Sequence, residues 1–178
     1  MYESALRLMK TKSLEDIKIG EICKEAGVSV GSFYNHFETK SDILVEMYKR
    51  ADSYFDERYK DGSNASSDAR DEIVHYFEVY AQYNQNLELE TIKQLYTANN
   101  KLFITKGRYM QKTLQSIIEK RQLAGELDNE LSYEYITEFL FIAARGVIYN
   151  WCLHEGNFDL PKMMKQYIER LIITFRKC

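Results

Sequence analysis

Proline is almost missing from this sequence: Pro161 is the only one in 178 residues. An interior proline removes a hydrogen bond and kinks a helix, so its scarcity leaves long helices uninterrupted. Cysteine is also scarce. Cys23, Cys152 and Cys178 are odd in number and scattered, which excludes a disulfide framework and a Cys-x-x-Cys metal clip, and no metal or other cofactor is expected. No apolar run approaches the roughly 18 to 20 residues of a bilayer-crossing helix, and the N-terminus lacks a basic segment followed by an apolar stretch and a cleavage site. A cytoplasmic chain with no membrane partner is the expectation. Positive charge is not in excess either. The net charge is -3, and residues 1–50 hold eight Lys/Arg against eight Asp/Glu, so any nucleic-acid contact must rest on a few well-placed groups rather than a basic tail. A phosphate-cradling glycine loop, an H-E-x-x-H helix and a G-x-S-x-G elbow are all missing. Cys152 and His154 stand at i and i+2, which do not face each other on a helix, so no catalytic pair is expected and the chain reads as a non-enzyme.

What is present is globular composition, 45% hydrophobic and 29% charged, with apolar residues at helical spacing nearly throughout. Ala5, Leu6, Leu8 and Met9 predict a first helix ending near Lys12, and Ile19, Ile22, Cys23 and Ala26 a second ending at Gly27. Ser29 is placed to cap a third helix carrying Val30 to Phe37, with Val28, Phe33 and Phe37 facing the core. Two short helices joined by Gly27-Val28-Ser29 have helix-turn-helix geometry. Thr39-Lys40-Ser41-Asp42 fits a capping box before a long fourth helix, and Asp61 to Ser67 form a turn-rich loop after it. Helices five to seven follow around Ile73 to Tyr83, Ile92 to Tyr96 and Met110 to Ile118, the last ending at Gly125. The final two run from Ile136 to Trp151 and from Met164 to Phe175, with Gly156 between them and Asp159 and Pro161 opening the second. Phe141 and Ile142 widen the apolar stripe of the penultimate helix beyond one packing face, which suits either a wide core or a four-helix bundle across a dimer axis. The fold class is all-α with about nine helices: a three-helix helix-turn-helix domain over residues 1–46 and a helical domain for ligand binding and dimerisation over 47–178.

In a helix-turn-helix, the N-terminal residues of the second helix meet base edges while flanking polar groups and helix N-termini bind phosphates. Ser29, Val30, Gly31 and Ser32 open that helix, and the two small residues Gly31 and Ser32 permit close approach to DNA. Tyr34, Asn35 and His36 then offer a phenol, an amide suited to adenine and an imidazole suited to a phosphate oxygen.

The run Ile19 to Leu44, with Ala-Gly-Val-Ser at 26–29, Gly-Ser-Phe-Tyr at 31–34, the aromatic Phe37 and Lys40, resembles the TetR family of regulators, most strongly from Ala5 to Met47. The resemblance implies a double-stranded DNA operator of pseudo-palindromic sequence, a homodimer joined by the last two helices, and an unidentified small-molecule effector that releases a repressor. It also implies that Lys18 and Lys40, at the starts of helices two and four, contact backbone phosphates. Many relatives carry a lysine or arginine where Val30 stands, and a basic arm that this sequence does not show before its first helix. Fewer neutralised phosphates mean a shallower salt dependence, and Val30 has the chemistry to touch a thymine methyl group.

The same resemblance places a ligand pocket among helices four to eight, for which Tyr80, Tyr83, Tyr109, Met110, Phe141 and Arg145 are the candidate lining. Arg145 interrupts an apolar helix and calls for a partner: an anionic ligand, an internal carboxylate or the dimer edge. Two alternatives stand beside the ligand-responsive repressor. One is a thiol-based redox regulator using Cys152 or Cys178, and the other a TetR-like protein that has lost DNA binding and acts through protein partners.

Overall fold

The computed structural model describes residues 1–60, 66, 68–97 and 100–177. These residues group into two compact units: Met1–Arg50 with Leu87–Ile104, and Ala51–Asn86 with Thr105–Cys178. Most of the expected turn-rich loop, residues 61–65 and 67, lies outside the described residues, as does Cys178. Among the described residues there is no strand, only a single antiparallel bridge between Leu127 and Arg176.

The first unit contains α1 (Tyr2–Met9), α2 (Ile19–Ala26), α3 (Val30–Tyr34), the start of α4 (Asp42–Tyr59) and α6 (Leu89–Leu95). Its core is formed by fully buried Ala5, Met9, Ile17, Ile22, Phe33, Ile43 and Ile92. α1 stops at Met9, about one turn short of the expected end; residues 10–17 form a turn closed by backbone bonds, Lys12 N to Leu8 O and Ile17 N to Ser13 O among them, and by the bond from Ser13 Oγ to Asp16 Oδ2. Gly27 takes φ +67°, and the amide of Val28 returns to Cys23 O at 3.0 Å, so the orphan carbonyls of α2 are met within the turn. The Val28 side chain then points outward, 37% exposed, correcting its expected inward position. The reversal at Gly27 presents Val28 to α2 through its amide, and Phe33 fills the interior instead. At the head of α4, the Thr39 amide donates to Asp42 Oδ2 at 2.7 Å, the reciprocal half of the expected capping box.

The second unit contains the rest of α4, α5 (Ala69–Asn86), α7 (Tyr109–Leu123), α8 (Tyr133–Leu153) and α9 (Leu160–Ile172). α5 packs on α9 and α7, and α8 packs on both α7 and α9. Ser132 and Asp159 cap the last two helices, accepting the amides of Tyr135 and Lys162, with Pro161 in the first turn of α9. α8 spans 21 residues, and an 18-residue window within it has a mean hydropathy of 1.2. By length and composition that window reaches what a bilayer-crossing helix needs, although Glu138 and Arg145 keep each uninterrupted apolar run of the helix short, as expected. Half of it is buried inside the unit.

The other half is organised. Tyr135, Phe139, Ile142, Tyr149 and Leu153 are all exposed, and with Gly146 they recur every three or four residues along one face of α8. Exposed Tyr167 on α9 and Ile173 just beyond it add to the unit's uncovered apolar surface. A Cβ at Gly146 would meet nothing within 4 Å, so nothing inside the subunit requires the glycine there. Phe141, expected to widen this stripe, is instead buried, and Phe139 stands in the outer row.

Candidate functional site

Ser29 is the hinge of the reading element. Its backbone is extended, its Oγ accepts the Ser32 amide at 3.1 Å, and its carbonyl accepts the amide of Phe33. Regular α-helix lasts only from Val30 to Tyr34, shorter than the expected stretch to Phe37, although the Phe37 amide still returns to Phe33 O at 2.9 Å. Phe33 is wholly buried and holds Tyr34 edge-on at 5.6 Å and Phe37 at 5.3 Å. That anchor leaves Val30 and Tyr34 48% and 55% exposed, with Gly31, Asn35 and His36 also on the surface and Ser32 half-buried. A Cβ at Gly31 would meet only Ser29 Oγ, at an ordinary 3.7 Å, so the fold itself does not demand glycine at this position.

The two lysines of the expected phosphate contacts sit at the start of α2. Lys18 is its exposed N-cap, and its amide donates to Glu21 Oε2 at 2.8 Å. Lys12 bonds the other oxygen of Glu21 at 2.5 Å, and this contact, with the Lys18 amide, holds the Glu21 carboxyl below its usual range. Lys40 reaches across from the head of α4 and donates to Glu15 O at 2.6 Å and Ile17 O at 2.9 Å, one peptide from Lys18. Both cations therefore converge on one helix N-terminus.

Of the candidate sensor residues in the second unit, Tyr80, Tyr83 and Phe141 belong to one aromatic assembly. Tyr80 and Phe141 meet edge to face at 5.6 Å, and Phe77 lies against both. Tyr76 donates its buried hydroxyl to Met110 O at 2.7 Å, tying α5 to α7. Tyr83, half-buried, packs on Tyr54 of α4 at 5.0 Å. Tyr109, also half-buried, is hydrogen-bonded to Asp56, which raises its phenol pKa. Arg145 donates from Nε to Phe141 O at 3.0 Å, one turn earlier in its own helix. Phe55, Tyr59 and Tyr76, whose spacing marks them as apolar-face residues of their helices but which were not among the candidate lining, stack within the same assembly, and periodicity carries no sign of the ion pair between Arg108 and Asp52 that pins the start of α7 to α4 at 3.2 Å. The Tyr59 hydroxyl is buried without a hydrogen-bond partner, and burial pushes its pKa up.

A capped helix presenting exposed polar and aromatic groups, beside a second helix whose N-terminus carries two cations, is a helix-turn-helix DNA-binding module. Residues 2–47 match the family described as "Bacterial regulatory proteins, tetR family". The chain is 25% identical over 194 residues to the HTH-type transcriptional regulator AcrR of Shigella flexneri, covering 100% of this chain and 88% of that protein. It is 23% identical over 181 residues to the fatty acid metabolism regulator protein of Bacillus subtilis, covering 97% and 92%. Among solved structures, Bacillus subtilis FadR in complex with stearoyl-CoA shares the fold with a TM-score of 0.80 at 19% identity, over 96% of this chain and 95% of that one. Thermus thermophilus FadR in complex with lauroyl-CoA does so at 0.72 and 18%, over 97% and 91%. Residues 2–47 are a TetR-family DNA-binding domain, and over its whole length the chain is similar to transcriptional regulators of that kind.

Proposed function

We propose that this protein is a cytoplasmic repressor that binds a pseudo-palindromic operator as a dimer, has no catalytic role, and is released by a long-chain fatty acyl thioester of coenzyme A. The observation that carries the DNA half is the exposed face of α3 above a wholly buried Phe33. On this reading Val30, Gly31, Ser32, Tyr34, Asn35 and His36 meet the major groove and its edges, Ser29 holds their register, and Lys18 and Lys40 bind phosphate. The open surroundings of Gly31 support this, since the bare backbone there serves approach from outside.

The effector class is supported by two relatives of full length and by the composition of the second unit. A long alkyl chain needs an apolar slot, and the packed rings of Tyr80, Phe77 and Phe141, with Met110, supply one when they part to admit it. Tyr83, Tyr109 and Arg145 stand as the polar members of that lining. A thiol switch is not favoured, because Cys152 is buried within α8. Loss of DNA binding is not favoured either, because the cap, the exposed reading face and both lysines are in place.

The test is selection of DNA fragments from the source genome by the purified dimer, followed by titration of the bound complex with stearoyl-CoA and lauroyl-CoA. An inverted repeat that is recovered by the wild type, lost with Tyr34→Ala, and released by either thioester supports the reading. Release tenfold in affinity corresponds to about 1.4 kcal/mol of preference for the non-binding conformer. A recovered repeat that neither thioester displaces would refute the effector class and leave the DNA half standing.

A further inference from the structure

Gln94 lies within α6, and its carboxamide makes three hydrogen bonds to one stretch of backbone outside its own helix. Oε1 accepts the Leu14 amide at 2.7 Å, while Nε2 donates to Met9 O at 2.8 Å and Lys12 O at 3.0 Å. Met9 ends α1, and Lys12 and Leu14 belong to the turn that leads into α2. Met9 O is one of the carbonyls that the end of α1 leaves without an intrahelical partner, and the other two groups belong to the turn itself. Only a carboxamide meets them all: a carboxylate has no donor and an ammonium no acceptor. Lys40 closes the far end of the same turn through Glu15 O and Ile17 O. α6 is itself seated by the ion pair of Lys10 with Glu88, and by Asn100, which donates to both Leu95 O and the Tyr48 hydroxyl.

Beside this clamp lies a cavity of about 420 Å³, lined in part by Ser13, Leu14, Lys40, Leu44, Gln94 and Thr97. The polar groups of Gln94, Lys40 and Asn100 on its wall are already engaged with protein partners, so the space offers little to a ligand. Its consequence is mechanical. The turn buries Leu14 and Ile17 but leaves this space beside Gln94, where the hydrogen bonds of the carboxamide add to that packing in holding it against α6.

We propose that Gln94 is a positioning residue for operator binding: its carboxamide fixes the turn before α2 against α6, and loosening of that grip is how effector occupancy lowers DNA affinity. The proposal rests on the repressor reading above. The covalent route is short. α5, which carries Tyr80 and Tyr83, ends at Asn86, and α6 begins at Leu89, so a shift at the end of α5 passes through two residues into the helix that holds Gln94. The turn in its grip delivers Lys18 and the start of α2, and α2 delivers α3 through Gly27.

The test uses the full chain as wild type, Gln94→Glu and Gln94→Leu. The first variant keeps the acceptor and loses both donors, and the second keeps apolar bulk and loses every bond. The probes are the DNA recovered by the wild type, stearoyl-CoA, and hydrogen exchange at the Leu14 amide. The expected result is Leu14 exchange at least tenfold faster in Gln94→Leu, and effector-free DNA affinity at least tenfold lower in both variants. Affinity of the free protein for stearoyl-CoA stays within twofold of wild type, and the thioester then changes the residual DNA affinity less than twofold. Wild-type DNA affinity with an undiminished stearoyl-CoA response in both variants would overturn the proposal. Should the wild type recover no DNA, the repressor reading fails on its own, and Leu14 still decides the clamp: unchanged exchange in Gln94→Leu sinks it.

Discussion

Ser29 Oγ accepts the Ser32 amide at 3.1 Å and so closes the first turn of a helix only five residues long. A helix this short has no cooperative reserve, so the cap contributes a large share of its persistence. Ser29→Ala is expected to cost about 1 kcal/mol of stability, read from the urea midpoint, and to weaken DNA binding more than that loss alone explains.

Tyr34 and its neighbour Phe33 should separate reading from folding. Tyr34→Ala removes an exposed ring and is expected to leave stability within about 0.5 kcal/mol while lowering DNA affinity at least tenfold. Phe33→Ala empties a fully buried position and is expected to cost about 3 to 5 kcal/mol in thermal or denaturant unfolding. Comparable stability losses in the two variants would contradict this division.

The contrast between those two residues also marks how far the sequence alone could be read. Cap residues and helix-breaking glycines act locally, so Ser29, Gly27, Asp159 and Gly125 were legible without coordinates, as was the alternation that buries Ile22, Ile43 and Ile168. Val28 was misjudged because the left-handed residue before it redirects a side chain, an effect outside any period. The second apolar face of α8 was visible as excess, but its members depend on which row the subunit buries: Phe141 went inward and Phe139 outward. Gln94 carried no local signal at all. Its partners lie about eighty positions away along the chain, and a polar residue on a short helix ordinarily reads as solvated surface.

Arg121 is buried with Glu72, which accepts from its Nε at 2.7 Å, and its Nη1 donates to Glu126 at 2.6 Å. Arg121→Ala would strand the Glu72 charge and is expected to cost about 3 to 5 kcal/mol by urea denaturation. The bond from Arg121 also holds the Glu126 carboxyl below its usual range. A depressed folded pKa gives stability that is complete above the ordinary carboxylate range and disappears as pH falls through the lower folded value. Acid unfolding monitored by circular dichroism should therefore be shallower in Glu126→Gln than in wild type.

The exposed row on α8 predicts the behaviour of the dimer. Ile142 and Leu153 are 58% and 62% exposed in the single subunit, so charging them costs the fold little while placing a carboxylate where a second copy would bury it. Ile142→Glu and Leu153→Glu are expected to sediment as folded monomers with a helical spectrum like that of wild type. DNA affinity should fall with them, since one reading helix is left to do the work of two. A variant that remains dimeric would move the subunit contact elsewhere.

The unit that contains the reading helices is assembled from two separate stretches of chain, residues 1–50 and 87–104. Anyone exchanging specificities between regulators of this kind by splicing at the end of the first stretch would transplant the letters without their binding. The recipient's own α6 would meet a foreign turn, and unless it offered a carboxamide at the matching place, the backbone of residues 9, 12 and 14 would be left to water. A chimera that carries both stretches keeps that joint intact, which makes the pair, rather than the N-terminal fifty residues, the transferable module.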